Sequence, residues 1–236
     1  MKYKHLFFDL DNTLWDFEKN SHETFNELYL NHLQNHKSIT SFEVFHGVYA
    51  IHNTRLWDLY RNNLISKEEL RDTRFLITLK EFGIDDRKLA DTLSEEYIYH
   101  SPRKGILFPG AVETLEKLKP HFKMHIITNG FEEIQHVKLA FSGLDKYFEN
   151  LITSEQAASK KPNAGIFYYA LEKAGAGVEE SLMIGDDLEV DIIGAGAIGM
   201  DTVYFDPYNL NGSTTEPTYK VATLHDILPI LNNLSA

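Results

Sequence analysis

Residues 4–14 read Lys-His-Leu-Phe-Phe-Asp-Leu-Asp-Asn-Thr-Leu, a stretch that joins an apolar run to two closely spaced carboxylates. Its apolar run predicts a buried strand over Leu6–Leu10, and Asp9 and Asp11 stand where that strand ends. Carboxylates at the end of a core strand are costly to desolvate unless a metal or a reaction requires them there. The stretch therefore predicts a functional site at one end of a buried strand.

The composition is ordinary for a globular protein. The 236 residues suffice for one large domain, or for a core domain with an inserted module, and 43% of them are hydrophobic. A net charge of −12 without a basic cluster argues against a nucleic-acid polymer as partner. The absence of cysteine excludes disulfides and Cys-zinc sites. No signal peptide or membrane-spanning run is found, so we expect a cytoplasmic monomer or homodimer with no membrane partner.

Residues 16–101 predict an all-helical domain. Apolar side chains recur there at spacings of three and four, as at Phe25 and Leu28, and the segment holds no convincing strand. Ser66-Lys-Glu-Glu has the pattern of a capping box that begins a helix, and Gly83 ends that helix. Four helices are expected in this segment, which is inserted after the first strand.

Residues 1–15 and 102–236 alternate between strand and helix patterns. Strands are predicted at Leu6–Leu10, His125–Thr128, Leu151–Thr153 and Ser181–Gly185, with the last clear strand at Thr202–Phe205. Helices are predicted at Pro109–Leu118, Glu132–Phe141, Asn163–Ala174, Glu189–Ala197 and Leu224–Leu231, and a polar loop at 209–215. Short apolar strands alternating with helices predict an α/β fold, a Rossmann-like parallel sheet covered by helices on both faces.

Residues able to carry chemistry follow four of the predicted strands. Active sites of open parallel sheets gather at the carboxyl ends of the strands. That edge would bring together Asp9, Asp11, Thr128, Asn129, Lys160, Lys161, Asp186, Asp187 and Asp191. Each pattern alone is more often a turn, a helix cap or a solvated loop. Their joint occurrence, in order and each after a separate strand, favours one anion-binding and metal-binding site.

In these motifs the chain resembles the haloacid dehalogenase-like hydrolase superfamily. Asp9-Leu-Asp-Asn-Thr13 is similar to its first motif, Thr128-Asn129 to its second, and Lys161-Pro162 to its third, with Lys160 the weaker match. Gly185-Asp186 followed by Asp191 is similar to the fourth motif. The resemblance covers the whole chain, because the superfamily places its helical cap where residues 16–101 are inserted.

The resemblance implies a role for each residue. Asp9 would be the nucleophile that forms an aspartyl-phosphate, and Asp11 the general acid and base. Mg²⁺ would be held by the Asp9 carboxylate, the Asp11 backbone carbonyl and Asp186. Thr128, Asn129 and Lys161 would bind the phosphoryl oxygens, whereas Asp187 and Asp191 would be outer or water-mediated ligands. Asp11 favours phosphate chemistry over dehalogenation, which has no leaving alkoxide to protonate.

The substrate is expected to be a small phosphorylated molecule. Residues 11–17 and the helix pattern at 65–75 look like those of noncanonical pyrimidine 5′-nucleotidases. Trp15 and Phe17 are candidates for contacts to the leaving group, with hinge packing as the alternative reading. A phosphatase of phosphoglycolate or of a sugar phosphate, and a phosphosugar mutase, stay open as alternatives. A non-catalytic binding module is disfavoured because every catalytic position holds the required residue type.

Overall fold

The computed structural model describes residues 2–209 and 216–232. The chain divides into two compact units, one made of Met1–Phe17 with Gly105–Ala236 and the other of Glu18–Lys104. The polar loop predicted at 209–215 lies outside the described residues beyond Asn209. Within the described part, no helix combines the length and the apolar character needed to cross a bilayer.

The larger unit is built on one parallel sheet. Its strands are β1 (His5–Phe8), β2 (Lys123–Thr128), β3 (Asn150–Thr153), β4 (Ser181–Gly185), β5 (Asp201–Phe205) and β6 (Tyr219–Val221). Their order in the sheet is β3-β2-β1-β4-β5-β6, and every neighbouring pair is parallel. The order reverses next to β1, which pairs with β2 on one side and β4 on the other. Ligands of open α/β sheets bind at such a reversal.

Helices cover both faces of this sheet, which confirms the predicted α/β class. After four helices of the smaller unit come α5 (Ala111–Leu118), α6 (Glu132–Ser142), α7 (Ala164–Ala174), α8 (Gly194–Gly196) and α9 (Ile227–Asn232). Leu6 and Phe8 pack on one face with Leu115 of α5, whereas Phe7 packs on the other with Phe167 of α7. Successive strand residues point to opposite faces, so a strand that is apolar throughout is buried on both.

Two predicted elements differ from the structure. The prediction that Thr202–Phe205 is the last clear strand is wrong, because β6 adds a short edge strand at Tyr219–Val221. The helix predicted at Glu189–Ala197 consists of a π-helical segment, Leu188–Ile193, followed by the single turn of α8. The Asp187 carboxylate caps the start of that segment by accepting from the backbone N–H groups of Glu189 and Val190.

The smaller unit is helical and has its own core. It contains α1 (Phe17–Leu28) from Glu18 onward, a π-helical turn at Tyr29–Leu33, α2 (Phe42–Arg61), α3 (Lys67–Glu81) and α4 (Arg87–His100). The Phe25 ring lies at the centre, with its centroid 4.2 Å from that of Tyr49 and 4.9 Å from that of Tyr97. The predicted capping box is confirmed, since Ser66 and Glu69 each bond the other's backbone N–H.

A buried histidine pair lies within β1 and β2. Asn150 Nδ2 donates to His125 Nδ1 over 2.9 Å, so the His125 proton resides on Nε2, which faces His5 Nδ1 at 3.1 Å. Burial, together with the charges of His5 and Lys123, lowers the pKa of His125 to about 4. The pair is therefore neutral in the folded protein at neutral pH.

We expect acid to destabilise the fold through His125. Its pKa is lower in the folded state, so the stability it contributes is present above about pH 6.5 and is lost as the pH falls toward about 4. Between about pH 7 and about pH 5, the free energy of unfolding of His125→Gln should fall by roughly 1 kcal/mol less than that of the parent. Urea unfolding at both pH values measures this. His121→Gln, at an exposed position, is the control. An equal fall in the free energy of unfolding between the two pH values in all three proteins would contradict the prediction.

Candidate active site

Asp9 and Asp11 lie at the carboxyl end of β1, where a tight turn follows the strand. The Asp9 N–H donates to Ile184 O over 2.9 Å and so continues the pairing between β1 and β4. Asn12 adopts a left-handed conformation, with φ of 62°, and its N–H donates to Trp15 O over 2.8 Å. Asparagine tolerates this conformation better than most residues. The turn keeps Asp11 at the end of the sheet.

Lys161 forms the electrostatic centre of the site. Its ammonium contacts Asp9 Oδ1 at 2.5 Å and Asp191 Oδ1 at 2.6 Å, and all three side chains are buried. Burial alone would lower the pKa of Lys161, but the carboxylates of Asp191 and Asp9 raise it above the usual value. The ammonium therefore stays charged at neutral pH. Asp191, predicted as an outer ligand, here binds the same lysine as the predicted nucleophile.

Asn129 fixes the backbone of Lys161. Its side-chain amide donates to Lys161 O over 2.9 Å, and its Oδ1 accepts from Lys161 N over 2.8 Å. The loop after β2 is thereby tied to the loop after β3. Thr128, the last residue of β2, is buried, and its hydroxyl accepts from Gly130 N over 3.0 Å. Both residues lie at the predicted edge, with the Asn129 side chain holding Lys161 in place.

Three carboxylates meet beside this lysine. Asp9, Asp186 and Asp191 each offer an oxygen, and these oxygens all lie within 4.8 Å of one another. Burial raises the pKa of Asp9 to about 7, aided by the charges of Asp191 and Asp11 and opposed by Lys161. Burial and the charge of Asp9 likewise raise the pKa of Asp186 well above its usual value. The cluster is thus a hard-oxygen donor set with more negative than positive charge, which fits a divalent cation such as Mg²⁺.

Two details of the chain shape this cluster. A Cβ at Gly185 would lie 2.3 Å from Asp191 Oδ2, so glycine at this position leaves the space that the Asp191 carboxylate occupies. Thr13, quoted in the first motif without a role, donates from its hydroxyl to Asp186 Oδ1 over 2.9 Å. This hydrogen bond holds the Asp186 carboxylate in one orientation.

The aromatic candidates near the first motif have different surroundings. Trp15 is fully buried in the core of the larger unit, and Phe17 is half-buried against the same core. The Lys138 ammonium lies 4.2 Å from the centroid of the Trp15 ring. Sequence analysis missed Lys138 and Gln135, whose side chains both contact the Asp11 carboxylate. Gln135 and Lys138 are three residues apart and so lie on the same face of α6. This spacing is the only signal in the sequence that could have suggested a joint role.

Comparison with known proteins identifies the family of the chain. A family model described as haloacid dehalogenase-like hydrolase matches residues 3–199. The chain belongs to the haloacid dehalogenase-like hydrolase family. It is 34% identical to the pyrimidine 5′-nucleotidase PynA of Streptococcus pneumoniae (strain ATCC BAA-255 / R6), over 98% of this chain and 96% of that protein. It is 33% identical to the pyrimidine 5′-nucleotidase YjjG of Escherichia coli (strain K12), over 98% and 99% of the two chains.

A solved structure agrees with this assignment. The putative HAD-hydrolase YfnB of Bacillus subtilis, described as bound to magnesium, matches this hydrolase with a TM-score of 0.87 at 29% identity. The match covers 98% of this chain and 100% of that one. The family membership and the enzyme class predicted from the motifs, a haloacid dehalogenase-like phosphatase, are confirmed.

Removal of the central lysine should cost stability as well as activity. Lys161→Met leaves Asp9 and Asp191 buried without their cation, and breaking a buried ion pair costs about 3–5 kcal/mol. Urea unfolding in metal-free buffer measures the loss, with the neighbouring Lys160→Met as matched control. The interpretation of Lys161 as the centre of the site would be wrong if the two variants lost equal amounts.

Proposed function

We propose that the protein hydrolyses the 5′-phosphate of pyrimidine nucleoside monophosphates through an aspartyl-phosphate on Asp9. The observation that carries the chemistry is the buried cluster in which Lys161 contacts Asp9 and Asp191 beside Asp186. The two relatives named as pyrimidine 5′-nucleotidases, each matching nearly the whole chain, support the substrate class.

The reaction takes two steps. An Asp9 oxygen attacks phosphorus, the ester bond to the nucleoside breaks, and Asp11 gives its proton to the departing 5′-oxygen. Asp11 then takes a proton from water, the water oxygen attacks phosphorus, and the bond to Asp9 breaks to release inorganic phosphate. The ammonium of Lys161 and the donors at Thr128 and Asn129 stabilise the phosphoryl oxygens as charge shifts.

Asp9, Asp186 and the Asp11 backbone carbonyl would hold Mg²⁺. When bound, the ion supplies charge that offsets the repulsion between the carboxylates and the phosphate. Asp191 lies in the same cluster but shares its Oδ1 with Lys161. The role of Asp191 is to keep Lys161 beside Asp9. Thr13 holds the Asp186 carboxylate in place in a similar way, by donating a hydrogen bond from its hydroxyl.

A phosphate-release screen tests the proposed function. In the presence of Mg²⁺, uridine, cytidine and thymidine 5′-monophosphates should be hydrolysed faster than adenosine 5′-monophosphate, phosphoglycolate or hexose phosphates. Asp9→Asn should abolish release, because the amide cannot attack phosphorus, and circular dichroism should show the fold retained.

Three results would contradict this proposal. Phosphate release by Asp9→Asn at the parent rate would show that Asp9 is not the nucleophile. A preference for phosphoglycolate or a sugar phosphate would overturn the substrate class alone. Isomerisation of a sugar phosphate without phosphate release would indicate a mutase.

Magnesium should stabilise the folded protein through Asp186. An ion that binds only the folded state raises stability by about 2.7 kcal/mol at a concentration one hundred times its dissociation constant. Differential scanning fluorimetry with chelator and with added Mg²⁺ should show a higher melting temperature for the parent and little change for Asp186→Asn. Asp145→Asn, at an exposed position, is the control. An undiminished shift in Asp186→Asn would remove Asp186 from the ligand set.

A further inference from the structure

Both oxygens of the Asp11 carboxylate are bound by side chains of α6. Gln135 Nε2 donates to Asp11 Oδ2 over 2.9 Å, and the Lys138 ammonium contacts Asp11 Oδ1. Residues three apart on a helix lie on the same face, so both donors approach from one side. Gln135 is buried, and the Lys138 side chain is only 6% exposed, whereas the Asp11 side chain keeps 27% of its surface accessible. The carboxylate is thus held from the protein side while part of it stays open.

The Lys138 ammonium has little freedom to move. It lies 4.2 Å from the centroid of the Trp15 ring and 5.6 Å from that of the Phe17 ring. The faces of aromatic rings attract cations, and the attraction strengthens when water is excluded. The aromatic pair and Asp11 together fix the ammonium in one place. Trp15 and Phe17 therefore help to hold the ammonium that contacts Asp11.

Gly130 provides the space that Gln135 needs. A Cβ at position 130 would lie 1.6 Å from Gln135 Nε2 and 2.6 Å from its Cδ, so any other residue would displace the amide. The Gln135 Oε1 is buried without a hydrogen-bond partner among the described residues. A buried acceptor without a partner costs free energy, and the amide is nonetheless oriented toward Asp11.

A purely structural contact accounts poorly for these features. Leu139 already anchors α6 in the core of the larger unit. Replacing a buried ion pair by apolar side chains of similar size is often neutral or stabilising. The two donors instead bind one carboxylate. Gly130 leaves the space that this arrangement needs, and the Gln135 amide adopts it although its oxygen has no partner among the described residues.

We propose that Lys138 and Gln135 are positioning residues that orient the Asp11 carboxylate for protonation of the leaving group. This inference rests on the proposed function, in which Asp11 is the general acid. Neither residue has to touch the substrate. A misplacement of about 1 Å in a reacting group can lower the rate about a hundredfold. Loss of the contacts that place Asp11 should therefore lower the rate by a measurable factor.

A comparison of two leaving groups tests the proposal. The alkoxide of uridine 5′-monophosphate needs a proton as it departs, whereas p-nitrophenolate is stable enough to leave without one. The ratio kcat/KM reports events up to the first irreversible step, which is departure of the alcohol or phenol. A variant with a misplaced general acid therefore loses more kcat/KM with the nucleotide than with p-nitrophenyl phosphate.

The variants are Lys138→Met and Gln135→Leu. With uridine 5′-monophosphate, or whichever alkyl phosphate the screen identifies, kcat/KM should fall about tenfold to a hundredfold. With p-nitrophenyl phosphate the loss should stay below about threefold, because only acid catalysis is impaired. Gly130→Ala, which displaces Gln135 without removing a polar group, should show the same selective loss.

Three controls separate positioning from general damage. Lys117→Met removes an exposed lysine from α5 and should change neither substrate's kinetics. Lys138→Arg keeps the cation and should recover part of the nucleotide activity. Thermal melting identifies any variant that is not folded, in which case Gly130→Ala carries the test.

Equal losses with both substrates, or no loss with either, would overturn the positioning role while leaving the proposed function intact. Failure of the parent protein to hydrolyse any phosphate ester would overturn both. A selective loss with the alkyl phosphate, partly restored in Lys138→Arg, would support the role of Lys138 and Gln135.

Discussion

The site depends on a buried ammonium shared between two carboxylates. Asp9 and Asp191 lie in surroundings that favour their neutral forms, and the Lys161 side chain is itself only 2% exposed. Desolvation of any one of these groups alone would be prohibitive, whereas the three together offset much of each other's cost. Because Asn129 also bonds the Lys161 backbone, one contact network joins the segments that follow four neighbouring strands, β3, β2, β1 and β4.

The same network indicates what an acidic protein would need in order to bind the proposed anionic substrate. The chain has a net charge of −12, and the cluster of Asp9, Asp186 and Asp191 adds to that field locally. One lysine cannot neutralise three carboxylates, and a phosphate brings further negative charge. A divalent cation held by hard oxygens would provide the missing charge at the point where phosphate and carboxylates approach. The excess of carboxylates therefore supports the proposed metal site.

The candidate site residues were predicted from their positions after predicted strands, but the contacts among them could not all be predicted from the sequence. Parallel strands share one carboxyl edge, so motifs after separate strands had to converge, and the bounds of β4 agree with the pattern. Tyr219–Val221 is short and only partly buried, so it gave no apolar run to recognise. Gln135 and Lys138 lie 124 and 127 residues from Asp11 in sequence. No local pattern on a helix indicates so distant a partner.

Asp9 and Asp11 lie two residues apart on one turn, yet each has its own lysine. Lys161 holds Asp9 from the loop after β3, and Lys138 holds Asp11 from α6. The Asp9 side chain is 10% exposed and the Asp11 side chain 27%. In the proposed mechanism Asp9 faces phosphorus and the cation, whereas Asp11 has to meet both the leaving group and water. The different burial of the two carboxylates and their separate lysines therefore support the proposed division of the two tasks between them.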